Sequence, residues 1–218
     1  MNALIRIYQR ELRGKLRVWV SWIFVPLILL SLHQVPRWPG ILVLALGTGL
    51  RWWASGYLDK EGKLSLAGPY RFSRNPLYLG SILLAAAIPI SQDLWILAVL
   101  ITGISLLVHI PLIYAEEKVL REKFGTDYVQ YCEKINRLFS PLLFLKMIFS
   151  SVFFSPQKGT GFRWDLHKRN KGNEPLIVGI ALLAVTFLIV YTHLDDYFKN
   201  VPLGSALDFF LRKTTNLF

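Results

Sequence analysis

The sequence predicts an all-α protein, a multi-pass transmembrane helical bundle of about five spans with its functional loops on the cytoplasmic side and a helical tail. Three observations predict it. Of the 218 residues, 53% are hydrophobic and only 18% are charged, against about 25% charged in soluble domains. Four stretches, 18–36, 75–92, 94–115 and 175–194, contain no Asp, Glu, Lys or Arg, and each approaches the ~20 residues that cross a bilayer. The net charge of +11 is gathered in blocks beside these stretches. That placement assigns the charge to a membrane surface and not to nucleic acid.

The elements follow in chain order. Residues 1–17 form a basic amphipathic run on the inner surface, and no small-residue cleavage site follows the first span, 18–36, so the segment does not read as a signal peptide. A second span, 38–58, contains Arg51; a charge at that depth costs roughly 3 kcal/mol unless it snorkels or finds a partner. Basic residues fill 59–74 and 116–140, and the N-terminal run is basic as well, so all three regions are cytoplasmic by the positive-inside rule. The turns at 33–39 and 91–93, short and nearly uncharged, lie outside. Residues 142–155 are apolar but too short to span and read as an interfacial or re-entrant segment, followed by the basic stretch 158–171. The last span, 175–194, then crosses outward, leaving Asp195, Asp196 and a final helix, 203–217, on the far side. The expected division is a membrane core, 1–141, and an appended region, 142–218. Cys132 is the single cysteine, so no intrachain disulfide forms. No metal-ligand set is expected, and nothing here fixes an oligomeric state.

Two groups of residues invite chemistry. The second cytoplasmic loop ends in Gly68-Pro69-Tyr70-Arg71-Phe72-Ser73-Arg74-Asn75-Pro76-Leu77-Tyr78-Leu79-Gly80. Gly-Pro makes a turn, Pro76 suits the first position of a helix, and Asn75 before it is a good N-cap. Capping leaves Arg74, Tyr70 and Tyr78 unexplained, and a helix N-terminus beside arginines suits an anionic group. The second group is Glu116-Glu117, where the next long apolar stretch ends. At about 100° per residue the two face different ways. One can pair with Arg121 at i+4 as a surface interaction; the other turns toward the bundle and needs a partner. Leu120, Phe124, Tyr128, Tyr131 and Ile135 form a stripe at helical spacing, a packing face.

In this order, Gly68-Pro69-Tyr70, Arg74-Asn75-Pro76-Leu77-Tyr78 and Gly80, then Glu116-Glu117, Leu120, Phe124-Gly125, Tyr128 and Tyr131, the residues resemble the isoprenylcysteine carboxyl methyltransferase and phospholipid methyltransferase superfamily. The resemblance covers roughly residues 41–141 and departs from the best-known motif in having Asn75 where His is usual. It implies a membrane methyltransferase that binds S-adenosylmethionine at the cytoplasmic side. The cofactor-binding residues it implies are Tyr70, Arg74, Asn75, Pro76, Tyr78, Gly80, Glu116 and Glu117. Asn hydrogen-bonds but does not exchange a proton near neutral pH, so it keeps a holding role and loses an acid–base one.

The chemistry of the residues is compatible with that cofactor. Glu116 or Glu117 complements an amine or hydroxyls, Arg74 a carboxylate, and Tyr70 or Tyr78 a cation or a ring face. Glu116, Glu117, Arg74 and Arg51 are the expected catalytic set. One glutamate serves as base for an amine acceptor, and Arg51 meets an acid group of the acceptor or snorkels to lipid phosphate. The expected acceptor is a lipid or lipophilic small molecule, carboxylate or amine, entering from the bilayer. Two other classes carry part of the pattern: sterol-type reductases, which resemble the same Arg-Asn/His-Pro and Glu-Glu elements while binding NADPH, and a non-catalytic membrane protein that retains the fold.

Overall fold

The computed structural model describes residues 36–59, 62–149 and 161–200. Within them lie six α-helices and one 3-10 turn: α1 (Trp38–Ser55), the turn Gly68–Arg71, α2 (Pro76–Ser91), α3 (Trp95–Lys134), α4 (Pro141–Phe149), α5 (Trp164–Arg169) and α6 (Glu174–Asn200). The N-terminal basic run, nearly all of the span expected at 18–36, and the final helix at 203–217 lie outside the described residues. Helices stand where the other four spans are expected. Among the described residues one of them, α3, is long and apolar enough to cross a membrane. Helix α2 has 16 residues, about 24 Å of rise against a hydrocarbon core of about 30 Å.

Helices α1, α2 and α3 run up, down and up. At one end the Arg37 N–H donates to the Ser91 carbonyl at 2.8 Å, and Arg37 pairs with Asp93 in the α2–α3 turn at 2.6 Å. At the other end Tyr78 of α2 meets Glu116 of α3. Glycines set the α1–α2 separation: a Cβ on Gly47 would stand 3.0 Å from the Gly80 carbonyl oxygen, and one on Gly40 would fall onto the Ser91 backbone. Small residues that let backbones approach are a usual means of joining helices in lipid. Gly40→Ala should therefore force the helices apart and lose about 1–3 kcal/mol. Gly49 on the same helix has open space around it, and Gly49→Ala should gain up to about 1 kcal/mol of helix propensity. Thermal unfolding in detergent reads the opposite signs.

Helix α3 bends sharply at Gly125, whose φ of 54° and ψ of −126° suit glycine and little else. From Trp95 to Ala115 the helix rises about 31 Å, so Glu116 stands where the apolar stretch ends. The part beyond Gly125 returns toward α2, and the expected packing face is there: Tyr128 and Tyr131 are buried. The opposite side of α3 exposes Ile96, Val99, Leu100, Ile104, Leu107 and Ile110, an apolar face suited to lipid.

The stretch expected as a basic loop, as far as it is described, packs back onto the end of α1. Asn170 Nδ2 donates to the carbonyls of Ser55 at 2.9 Å and Leu58 at 2.7 Å, and the Arg163 N–H donates to the Gly56 carbonyl at 3.0 Å. These donors close carbonyls that a helix C-terminus leaves open. His167, 1% exposed, sits with Nδ1 2.6 Å from Ser55 Oγ and Nε2 2.8 Å from Asn173 Oδ1. Trp52, Phe162 and Trp164 enclose its ring.

Candidate functional site at the end of the helical hairpin

The site begins with a turn. Gly68 has φ of +58°, and a Cβ there would meet the Tyr57 ring at 2.7 Å; the chain then winds through the 3-10 turn and enters α2 at Pro76, as expected. Two backbone hydrogen bonds tie this strip to the segment after α3: the Arg74 N–H donates to the Asn136 carbonyl at 3.1 Å and the Ser140 N–H to the Phe72 carbonyl at 2.9 Å. The Tyr131 hydroxyl adds a bond to the Tyr70 carbonyl at 2.7 Å. Phe72 lies against Phe139 and Phe144, which fixes the start of α4 beside the site.

At the centre is Glu117, 4% exposed. Its carboxylate accepts from Arg137 Nε at 3.1 Å to each oxygen and from Arg137 Nη2 at 2.9 Å. Asn75 Nδ2 stands 3.4 Å and Arg74 Nη2 3.5 Å from Oε1. The i+4 spacing points Glu117 at Arg121, but the structure turns it inward to two arginines distant in sequence. Hydrogen bonds to Glu117 hold the Arg137 guanidinium above its ordinary pKa, against a smaller opposing effect of burial. Arg137 also lies over the Tyr114 ring at 4.0 Å. Asn75 occupies the cap position without capping: its side chain makes no cap hydrogen bond, because the amide is spent on Glu117 and on the Arg137 carbonyl at 3.0 Å.

Glu116, half-buried, accepts from the Tyr78 hydroxyl at 2.9 Å through Oε2. Tyr70 is buried nearby; burial first, and the Glu116 carboxylate second, push its phenol well above the ordinary value, so it stays neutral. Arg51 is turned onto α2, where Nη1 donates to the Leu77 carbonyl at 3.3 Å and to Ser81 Oγ. Gly80 makes room for it: a Cβ there would stand 2.6 Å from Arg51 Cγ and 2.9 Å from the Gly47 carbonyl oxygen. Gly80 thus serves the helix crossing. Tyr70, Arg74, Asn75, Pro76, Tyr78, Glu116 and Glu117 gather at one end of the hairpin, with Arg51 and Gly80 about a turn deeper in the α1–α2 seam.

Two participants carry no signal in the loop motifs. Arg137 is one basic residue among several in the block 116–140 and is distinguished by the return of the chain after Gly125. His109 lies inside the apolar stretch, its ring edge-on to Tyr78 with centroids 5.5 Å apart; an ionisable side chain at that depth is itself a pointer.

The arrangement suits a small zwitterion. Arg74 has a side chain only 10% exposed, and its Nε–H is buried with no hydrogen-bond partner among the described residues. An unmade bond on a buried cation is costly. Two guanidiniums share the single Glu117 carboxylate, an excess of positive charge that a ligand carboxylate would neutralise. The Glu116 carboxylate, with the Tyr78 hydroxyl, presents acceptors for an amine or hydroxyl. These features fit the carboxylate and ammonium of S-adenosylmethionine.

Comparison with known proteins agrees with the motif reading. Residues 37–127 match the family model described as phospholipid methyltransferase, within the superfamily that the loop motifs resemble. The matched segment runs from the start of α1 to just past the Gly125 bend, and it points to a membrane methyltransferase. No curated protein and no solved structure matches the chain.

Proposed function

We propose, from the phospholipid methyltransferase match over residues 37–127, that this chain transfers a methyl group from S-adenosylmethionine to a lipid or lipophilic acceptor at the cytoplasmic face of a membrane. The observation that carries the cofactor assignment is the buried, unsatisfied Nε–H of Arg74 beside a carboxylate already shared by two arginines. Arg74 would hold the cofactor carboxylate. Glu116 and Tyr78 would take its ammonium or ribose hydroxyls, and Tyr70 would offer a ring face. Glu117, with Arg137 and Asn75, fixes Arg74 and closes the loop from the hairpin to α4. When bound, S-adenosylmethionine supplies an electrophilic methyl on a sulfonium. The chain's contribution is to hold the two reactants in line and to exclude water, the source of most of the gain in such displacements. Arg51, engaged with α2, positions the helix that carries Tyr78.

The direct test is transfer of radiolabelled methyl from S-adenosylmethionine into extracted lipids, small hydrophobic molecules and proteins, comparing membranes with and without this chain. Calorimetry of the purified protein separates the cofactor classes: S-adenosylmethionine should bind and NADPH should not. The topology in this reading places the N-terminus and the loops 59–74 and 116–140 on the cytoplasmic side. Single cysteines at Lys63→Cys and Lys123→Cys, in a background with Cys132→Ser, should therefore react with an impermeant thiol reagent from the same side. Labelling from opposite sides removes the shared site.

A further inference from the structure

The turn that carries Tyr70 into the candidate site is gripped from two sides. On one, the Tyr131 hydroxyl donates to the Tyr70 carbonyl at 2.7 Å. On the other stands Tyr57, the second residue past α1, whose carbonyl accepts from Ser65 Oγ at 2.8 Å. Its ring lies so close to Gly68 that a Cβ there would stand 2.7 Å from Cδ2. Glycine at 68 therefore answers two demands at once, the positive φ of 58° and the approach of this ring. The turn has few bonds of its own. The Tyr70 N–H reaches the Ala67 carbonyl at 3.2 Å and the Phe72 N–H the Pro69 carbonyl at 3.3 Å, at the long end for amide hydrogen bonds, so its shape depends on the groups packed against it.

Tyr57 is backed in turn by Phe162. The two rings meet edge to face, with centroids 5.9 Å apart and planes at 79°. Phe162 is itself fixed to the end of α1: it stacks on Trp52 at 5.0 Å and 19°, and a Cβ on Gly56 would run into its ring. Arg163, next in sequence, donates its N–H to the Gly56 carbonyl at 3.0 Å. Trp164 belongs to the same cluster, but among the described residues its ring contacts are with Trp52, Phe162 and His167. We infer that Phe162 is a positioning residue of the cofactor site: by holding Tyr57 against Gly68 it sets the turn from which Tyr70 and, past it, Arg74 reach the ligand. The role rests on the methyltransferase reading and extends it to a residue beyond the matched segment 37–127.

The first measurement needs no cofactor: amide hydrogen exchange over residues 66–74, read by mass spectrometry on the full chain in detergent. Phe162→Ala should speed exchange there about tenfold, whereas Trp164→Ala, which takes a ring from the same cluster without touching Tyr57, should leave that stretch unchanged. The second is calorimetry with S-adenosylmethionine. Phe162→Ala should weaken binding about ten- to a hundredfold, the scale of a misplacement of roughly 1 Å. Phe162→Tyr, which keeps the ring, should restore the parental affinity, and Trp164→Ala should stay within about threefold of it. Tyr57→Ala should match Phe162→Ala, and the double variant should be no worse than either, because both remove a link of one chain. If Phe162→Ala does not fold, Phe162→Leu, which keeps apolar bulk and loses the ring, takes its place with the same expectations. Unchanged exchange over 66–74, equal losses in the Phe162 and Trp164 variants, or additive losses with Tyr57→Ala overturn the role of Phe162 alone. A parent that binds no S-adenosylmethionine overturns the methyltransferase reading and this role together.

Discussion

Glu117→Gln should be the most damaging single substitution in the described part of the chain. The carboxylate is 4% exposed and is the shared counter-ion of Arg137 at 2.9 Å and Arg74 at 3.5 Å. An amide keeps the shape and one acceptor but loses the charge, leaving two guanidiniums, one of them nine-tenths buried, without compensation. Removing one member of a buried ion pair costs about 3–5 kcal/mol, so a loss of that order is expected in thermal unfolding in detergent, with cofactor binding abolished. The double variant Glu117→Gln with Arg137→Gln should recover part of the stability, because one orphaned charge goes with its partner. Glu116→Gln should differ in kind. Glu116 has the Tyr78 hydroxyl as its hydrogen-bond donor and lies nearer solvent, so its loss should leave stability within about 1 kcal/mol and lower cofactor affinity roughly ten- to a hundredfold, the value of an ionic hydrogen bond to a ligand. Matching effects of the two substitutions on both measurements would remove the division of labour.

Arg74→Lys should lower cofactor affinity by a similar ten- to a hundredfold while the protein still inserts. The guanidinium reaches Glu117 with one terminal nitrogen and keeps its Nε–H buried and unsatisfied. A fork of donors can hold two carboxylates at once, whereas an ammonium at the end of a flexible stem cannot reproduce that geometry. Arg71 stands three residues earlier, at the end of the 3-10 turn, and is half-buried. Arg71→Ala should change affinity and rate by less than about threefold. Calorimetry with S-adenosylmethionine and the methyl-transfer rate at matched protein levels decide it. The assignment fails if Arg74→Lys behaves as the parent and Arg71→Ala does not.

Much of this end of the molecule is legible in the sequence because the signals are local. Pro76 opens α2 at the first helical position that its ring suits, Gly-Pro turns at Gly68, and Glu116 stands at the end of an apolar run of membrane length. What is not legible is the choice of partner across distance. Helical spacing offers Glu117 the nearby Arg121; only the reversal at Gly125, with its positive φ, brings Arg137 from 20 residues away. Asn75 has the residue type and position of a cap, but the cluster claims its amide. His109 escapes a search for Asp, Glu, Lys and Arg in apolar stretches, because imidazole is neutral enough to sit among them. The stretch after residue 160 reads as a basic loop by composition, and nothing in its periodicity reveals that Asn170 and His167 are fitted to the end of α1.

That fit separates the matched segment from the unit of construction. The family match stops at residue 127, yet Glu117 finds its bidentate arginine at 137 and the last carbonyls of α1 find their donors at 163 and 170. A fragment cut to the matched boundaries would expose a carboxylate, an unfinished helix end and the indole of Trp52 together. Recombinant shortening, domain grafting or exchange of C-terminal segments between related chains should accordingly respect residue 173 and not residue 127. The region that looks like an appendage in the sequence acts as a clasp.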